Sequence, residues 1–306
     1  MYELEIIYNI YSLFINHLPV EELSQWITND MILNMIKCIG TPDVSEQALL
    51  VKAFGEIIDK LPYTKPLIYH KLLYIISNYN NGEFLHYHII VSLKILRLLF
   101  RSKEYKWDCE HIMELYKVLY PLYKSEFLSC FYIELNALLR FLFSLDASLS
   151  SDLSSYLLQH FPITNSSKQF PFLHQIMSLI IFNSKCIKYN DMKLLSSILF
   201  KCISSDNQNV AINSIFFICN ENKIVALSSI SHSIVASIVN GLIEQSNSWS
   251  QTISSSAIDS LNKVKNIAFR HNICLTSPIS SQSINWSEIK RIALSNSKNF
   301  IGTQSP

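Results

Sequence analysis

Lys201-Cys202-Ile203-Ser204-Ser205-Asp206-Asn207-Gln208-Asn209-Val210-Ala211-Ile212-Asn213-Ser214-Ile215-Phe216-Phe217-Ile218-Cys219-Asn220-Glu221 reads as the end of one apolar helix, a polar turn and a second apolar helix. The first helix stops at Ile203. Ser204 to Asn207 carry side chains that favour turns and helix starts over helix interiors. The second helix runs from Gln208 to Cys219 and gives way at Asn220-Glu221. Similar seams recur along the chain, so this one stretch states the rule by which the rest is cut.

Outward from the seam, the apolar positions keep the helical period. Tyr2 to His17 reads as a helix with Ile6, Ile10, Leu13 and Phe14 on one stripe, and Glu21 to Ile39 holds a second pattern. Thr41-Pro42 is a start signal, a capping residue followed by a proline suited to the first helical position. Val44 to Leu61 follows, Pro62 breaks it, and Pro66 opens the next helix through Ile76. Phe84 to Arg101 is the clearest amphipathic helix. Ile89, Leu93, Leu96 and Phe100 share one stripe, and Lys94, Arg97 and Arg101 lie on another face. Cys109–Leu119, Glu126–Leu145 and Asp152–Phe161 come next. A helix through Phe182 then starts at Ser166, which with Gln169 has the spacing of a capping box, or up to a turn later because of Pro171. Asp191–Ile203, Gln208–Cys219, two shorter helices through Ile243 and a long one from Trp249 to Ala268 complete the run.

The first helices of successive pairs begin near residues 45, 84, 125, 169, 208 and 248. A two-helix unit of about forty residues is the spacing of HEAT-type repeats. The fold predicted is therefore all-α, an α-α superhelix (solenoid) of HEAT/armadillo-like repeats over residues 1–270. Each pair buries its apolar face only by stacking on its neighbours, which makes a curved rod. A Ser-rich tail, 271–306, is expected to be partly disordered, with a short helix around Trp286 to Leu294 and a Ser277-Pro278 dipeptide suited to phosphorylation.

Composition excludes several function classes. The net charge is +1 and Lys/Arg form no runs, so a phosphate-tracking surface, and with it nucleic acid as the main ligand, is not expected. The seven cysteines are scattered, never spaced C-x-x-C, and mostly within apolar helical patterns. They read as buried free thiols in a reducing compartment, the cytoplasm or nucleus, with no zinc site. The first residues carry no basic signal region. Ile224 to Ile243 has no formal charge and the length of a membrane span. Its five serines, His232 and Asn240 and a natural break near Ser231 predict buried helices instead.

Catalytic signatures are missing as well. The five glycines are too far apart for a phosphate-cradling loop, and neither G-x-S-x-G nor H-E-x-x-H occurs. His86 and His88, two apart, fall on different helix faces, and no third ligand is near, so no metal and no cofactor is expected. The chain is expected not to be an enzyme. Its 15 Tyr, 17 Phe and 4 Trp fit core packing between helices or a peptide-accepting groove, and periodicity does not separate the two.

Four segments carry a family resemblance. Lys117-Val118-Leu119-Tyr120-Pro121-Leu122-Tyr123-Lys124, Phe161-Pro162 with Ser167-Lys168 and Phe172-Leu173, Lys201 to Ser205 with Val210-Ala211 and Asn220-Glu221, and Trp249 with Thr252 follow in order and spacing over roughly residues 1 to 265. In these the chain resembles the B-prime (fifty-six-kilodalton) regulatory subunits of protein phosphatase 2A. The resemblance implies a HEAT-like solenoid without catalysis. It would dock on the phosphatase scaffold and catalytic subunits and select substrates through short linear motifs of the LxxIxE kind. Carried over residue by residue, it makes Lys168, Asn220 and Glu221 candidate assembly contacts, and His86 and Lys60 candidate peptide contacts. His86 matches a family histidine that faces the motif's Glu.

Three departures accompany the likeness. The chain starts where the family already has several helices behind it, so N-terminal repeats are expected to be absent. Where the family carries His-Arg-Ile-Tyr, this chain reads Gly55-Glu56-Ile57-Ile58, and Glu56 in place of Arg repels an acidic peptide. The family's acidic run Glu-Leu-Glu-Glu is here Gln175-Ile176-Met177-Ser178. The leading expectation is a divergent regulatory subunit. The alternative is a helical-repeat interaction scaffold that has lost phosphatase binding.

Overall fold

Helix ends fall where a short polar side chain replaces the backbone partner that the first turn lacks. Thr28, Asp43, Asp108, Asn207, Asn220 and Ser231 each accept a hydrogen bond from a backbone N–H of the helix that follows. The computed structural model describes residues 2–101 and 108–275. In chain order its helices are α1 (Tyr2–His17), α2 (Val20–Trp26), α3 (Asn29–Lys37), α4 (Val44–Lys60), α5 (Lys65–Tyr79), α6 (His86–Arg101), α7 (Cys109–Leu119), α8 (Leu128–Leu145), α9 (Ser148–Gln159), α10 (Ser166–Phe182), α11 (Met192–Ile203), α12 (Gln208–Ile218), α13 (Glu221–Ile230), α14 (His232–Ser246) and α15 (Gln251–Arg270). Short 3-10 turns lie among them, and no strand occurs among the described residues.

The helices stack in two layers. One layer is α1, α4, α6, α8, α10, α12 and α15, each packed on the next. The other holds α5, α7, α9, α11 and α14, each packed against a partner in the first: α5 on α6, α7 on α8, α9 on α10, α11 on α12 and α14 on α15. The six first helices anticipated from the spacing, α4, α6, α8, α10, α12 and α15, all fall in one layer. The sequence period is therefore the layer repeat. Between repeats the core is apolar: Leu72, Ile89, Leu96, Leu115, Leu139, Leu157, Ile176, Leu199, Ile215 and Leu242 are fully or almost fully buried.

Polar ties cross the same interfaces. Tyr79 and Ser125 share a buried hydrogen bond of 2.7 Å, Ser154 donates to the Cys186 carbonyl at 2.7 Å, and Ser155 donates to Asp191 at 2.7 Å. Arg97 on α6 pairs with Glu134 on α8 at 2.7 Å, and Ser196 on α11 meets Ser237 on α14 at 2.6 Å. A buried polar group without such a partner is costly, so these ties fix the register of one repeat on the next.

Several expectations are corrected at the helix ends and faces. In α1 the stripe Ile6, Ile10, Leu13 and Phe14 is exposed, and Ile15 with the half-buried Tyr8, Tyr11 and Ser12 faces the molecule instead. The helix is apolar nearly all round, so period alone could not choose its buried side; α4 chooses it. The Glu21–Ile39 pattern is two helices, cut at the Thr28 cap. Asp43 rather than Thr41 caps α4, and Pro42 lies ahead of the helix. Thr41 Oγ1 instead donates to Glu46 at 2.6 Å. The Ser166/Gln169 box does not form, because Gln169 reaches back to donate to the Ile163 carbonyl at 2.6 Å. Pro171 sits inside α10 without delaying its start. α15 begins at Gln251, leaving Trp249 94% exposed. Cys38, Cys109, Cys130, Cys186, Cys202 and Cys219 are free thiols, and of all seven cysteines only Cys186, Cys202 and Cys219 are buried.

The uncharged stretch Ile224–Ile243 breaks at Ser231 as its serines suggested: α13 ends at Ile230, and Ser231 caps α14. α8 is long and apolar enough to cross a membrane by length and composition. Its Leu128, Phe131, Leu135, Leu138, Leu139 and Leu142 are buried in the packing. The compact unit that holds the helices extends to Leu275, with Ile273 buried beyond the end of α15. The Ser277-Pro278 dipeptide and the helix expected around Trp286 to Leu294 lie outside the described residues.

Candidate functional site

The five residues singled out from the sequence sit at helix ends, and each is engaged by its own chain. Lys60, the last residue of α4, donates to the carbonyls of Asn16 and Leu18 at 2.8 and 3.0 Å. It thereby caps the C-terminus of α1, where a cation is favoured by the carbonyls left unpaired. One turn earlier, Glu56 accepts a hydrogen bond from Ser12 of α1 at 2.6 Å and lies 3.9 Å from Lys52. Ile57 and Ile58 are core residues, and a Cβ on Gly55 would stand 3.3 Å from Leu98. The Gly55–Ile58 segment is thus packed between α1 and α6. His86 opens α6 with its ring stacked on Phe127, 4.4 Å between centroids and 10° between planes. No described contact joins it to Lys60.

Lys168, near the start of α10, donates to the Lys124 carbonyl at 2.8 Å and closes the 3-10 turn Tyr120–Lys124. Asn220 caps α13 through the N–H of Asn222. Glu221 takes His271 at 2.9 Å and Arg270 at 3.2 Å, both from the end of α15. The hydrogen bond from His271, and after it Arg270, hold this carboxyl below its usual range. Asn220 and Glu221 therefore form one cluster where α12, α13 and α15 meet, and Lys168 belongs to a different repeat seam.

His86 and His88 diverge as their spacing requires. His86 faces Phe127, whereas His88 packs against Phe84 and accepts from the Leu85 N–H. Among the described residues no three His, Cys, Asp or Glu side chains are placed to hold a metal. A cavity of about 630 Å³ lies between α3, α5 and the start of α6, with Lys37, Lys71, Phe84 and His88 among its walls.

The structure also assembles a polar chain that sequence reasoning missed. The Tyr123 hydroxyl, on a fully buried ring, donates to Asn136 Oδ1 at 2.9 Å. That leaves the Asn136 amide nitrogen to donate to His174 Nδ1, 3.0 Å away. His174 is thus a neutral imidazole with its proton on Nε2, lying flat on Phe217 at 5.0 Å. Lys223 Nζ sits 3.0 Å from the centre of the same Phe217 ring and donates to the Phe217 carbonyl at 2.6 Å. The available signal was spacing: Tyr132, Asn136 and Arg140 recur every four residues on α8, as do Phe170 and His174 on α10.

Burial, and after it Lys223 and Arg140, lower the His174 pKa; burial also lowers that of His88. An unfolded histidine takes up its proton near pH 6.5, and the folded one only at lower pH. Between those values the unfolded state binds more protons, so stability is full above about pH 6.5 and falls as the pH drops below it. Urea midpoints measured from pH 7.5 to 5 are expected to fall, and His174→Gln to flatten the slope. An unchanged slope in that variant would remove His174 from the account.

A two-layer stack of helix pairs, with polar side chains in caps and inter-repeat ties, is a helical-repeat protein. The family model for the protein phosphatase 2A regulatory B subunit (B56 family) matches residues 1–276. This chain belongs to the B56 family. Its likeness to individual members is low. It is 24% identical over 253 residues to the B' kappa isoform of the 57 kDa regulatory subunit from Oryza sativa subsp. japonica, covering 82% of this chain and 50% of that protein. It is 23% identical over 237 residues to the beta isoform of the 56 kDa regulatory subunit from Homo sapiens (75% and 46%). It is 22% identical over 253 residues to the B' eta isoform of the 59 kDa regulatory subunit from Arabidopsis thaliana (80% and 49%). The chain spans about half the length of the curated relatives it matches.

Proposed function

We propose that this chain is a non-catalytic regulatory subunit of protein phosphatase 2A. It docks on scaffold and catalytic subunits and raises the local concentration of a phosphoprotein beside the active centre. The observation that carries this reading is the family match over nearly the whole described chain, on a stack of helix pairs that fits it. Lys168 and the Asn220–Glu221 cluster are the assembly contacts of this reading. Both are polar, lie at helix starts and hold their charge at fixed positions. The free cysteines fit a reducing compartment, and we place the protein in the cytoplasm or nucleus.

One observation favours a second reading, a repeat scaffold that no longer serves the phosphatase. Lys60 and Glu56 are already taken by α1, so a short linear motif does not find a free cation there. A pull-down of the tagged chain from its own cells separates the two. Under the first reading both phosphatase subunits are recovered, and Lys168→Glu with Glu221→Lys lowers recovery about tenfold or more at an unchanged circular-dichroism spectrum. Recovery of neither subunit, with the chain folded, would establish the second.

A further inference from the structure

The packing of α8, α10 and α12 leaves one face on which positive charge and aromatic rings gather without a carboxylate. Arg140 on α8 is exposed and makes no ion pair among the described residues. Lys223 at the start of α13 is half-buried over Phe217, where its ammonium has a ring and a carbonyl for partners. Both stand close enough to His174 to act on its charge. α10 and α12 contain no Asp or Glu at all. Glu134 of α8 is engaged by Arg97, and Glu221 of α13 by Arg270 and His271. Withdrawing a cation from water without a counter-charge is unfavourable, and an incoming anion relieves that.

The rings complete the surface. Phe170 meets Phe217 edge-on at 5.3 Å, and Tyr132 meets His174 at 5.5 Å. Tyr132 and Phe170 also wall a cavity of about 360 Å³ between α8, α10 and the start of α12, of the size that takes one bulky side chain. We propose that this face is a docking surface for an acidic peptide segment, in which Arg140 and Lys223 meet carboxylates and Tyr132 and Phe170 receive a neighbouring apolar side chain. The surface lies on other helices than the Gly55–Ile58 segment.

The test uses the full chain and three fluorescein-labelled twelve-residue probes: a glutamate-rich peptide with one central phenylalanine, the same peptide with every Glu replaced by Gln, and the acidic peptide with the phenylalanine replaced by Ser. A single-stranded oligodeoxynucleotide of equal charge is the fourth probe. Anisotropy is expected to show binding of the first probe, at least tenfold weaker binding of the second and third, and weakening with added salt. Arg140→Gln and Lys223→Met are each expected to weaken the first probe severalfold and together at least tenfold. Arg140 is exposed, and Lys223→Met keeps an apolar stem over Phe217, so a retained helical circular-dichroism spectrum and cooperative melting accompany the loss. Equal binding of the acidic and Gln probes, unchanged binding by the double variant, or an oligodeoxynucleotide bound as tightly as the peptide would each overturn the proposal.

Discussion

Replacing Tyr123 by Ala is expected to cost about 3–5 kcal/mol of stability, the range for emptying the site of a large buried ring. Tyr123 is among the largest fully buried side chains of the molecule and meets Phe172 of α10 edge-on at 5.4 Å. Its hydroxyl also begins the chain through Asn136 to His174. Tyr123→Phe keeps the ring and removes only the donor, leaving Asn136 Oδ1 buried and unpaired, for a cost of about 1–3 kcal/mol. Urea unfolding of both variants separates packing from hydrogen bonding. Because repeats can unfold in part, the transition is followed by circular dichroism and by tryptophan fluorescence together. Equal costs for the two variants would mean that the hydroxyl, not the ring, dominates at this position.

The second large effect is expected at Gly40. A Cβ built there falls 2.2 to 3.0 Å from three ring atoms of His88, closer than packed atoms approach. Gly40 ends the 3-10 turn Cys38–Gly40, which lies against α6. The ring cannot simply swing away, since His88 is held by the Leu85 N–H and packs on Phe84. Gly40→Ala is expected to lower stability by about 1–3 kcal/mol, as overpacking does. In a His88→Ala background the same substitution should cost little. A double-mutant cycle reads that coupling; purely additive effects would show that the glycine is needed for its backbone and not for the close approach.

Legibility in the sequence followed the kind of force involved. The helices and their two-layer order come from apolar periodicity, a property each segment carries by itself, and for α7 even the end residues match. Faces were readable where charges mark the outer side, as on α6, whose Ile89, Leu93, Leu96 and Phe100 are all buried while Lys94, Arg97 and Arg101 are not. On α1 the apolar residues surround the helix, and only contact with α4 selects a side. Caps were misread where two capping residues stand close together, as at Thr41 and Asp43. The polar side chains were hardest. Lys60 and Lys168 stand out in the sequence as candidate partner contacts, and in the fold each also finishes a carbonyl end that belongs to a segment more than forty residues earlier. The Tyr123–Asn136–His174 chain draws on three segments that no local pattern relates.

Those ties share a property with a kinetic consequence. Among the side chains that join one repeat to the next, Ser154 and Cys186 are 32 residues apart, Arg97 and Glu134 37, Ser196 and Ser237 41, and Glu221 and His271 50, while Tyr123 and Asn136 are only 13 apart. No such tie asks the two ends of the chain to meet. The entropy of loop closure rises with the logarithm of loop length, so each new repeat closes a loop of about the same modest size whatever the length already folded. Folding can therefore begin at any adjacent pair and spread outward by the same step, and emergence from a ribosome one repeat at a time suits the chain as well as release all at once.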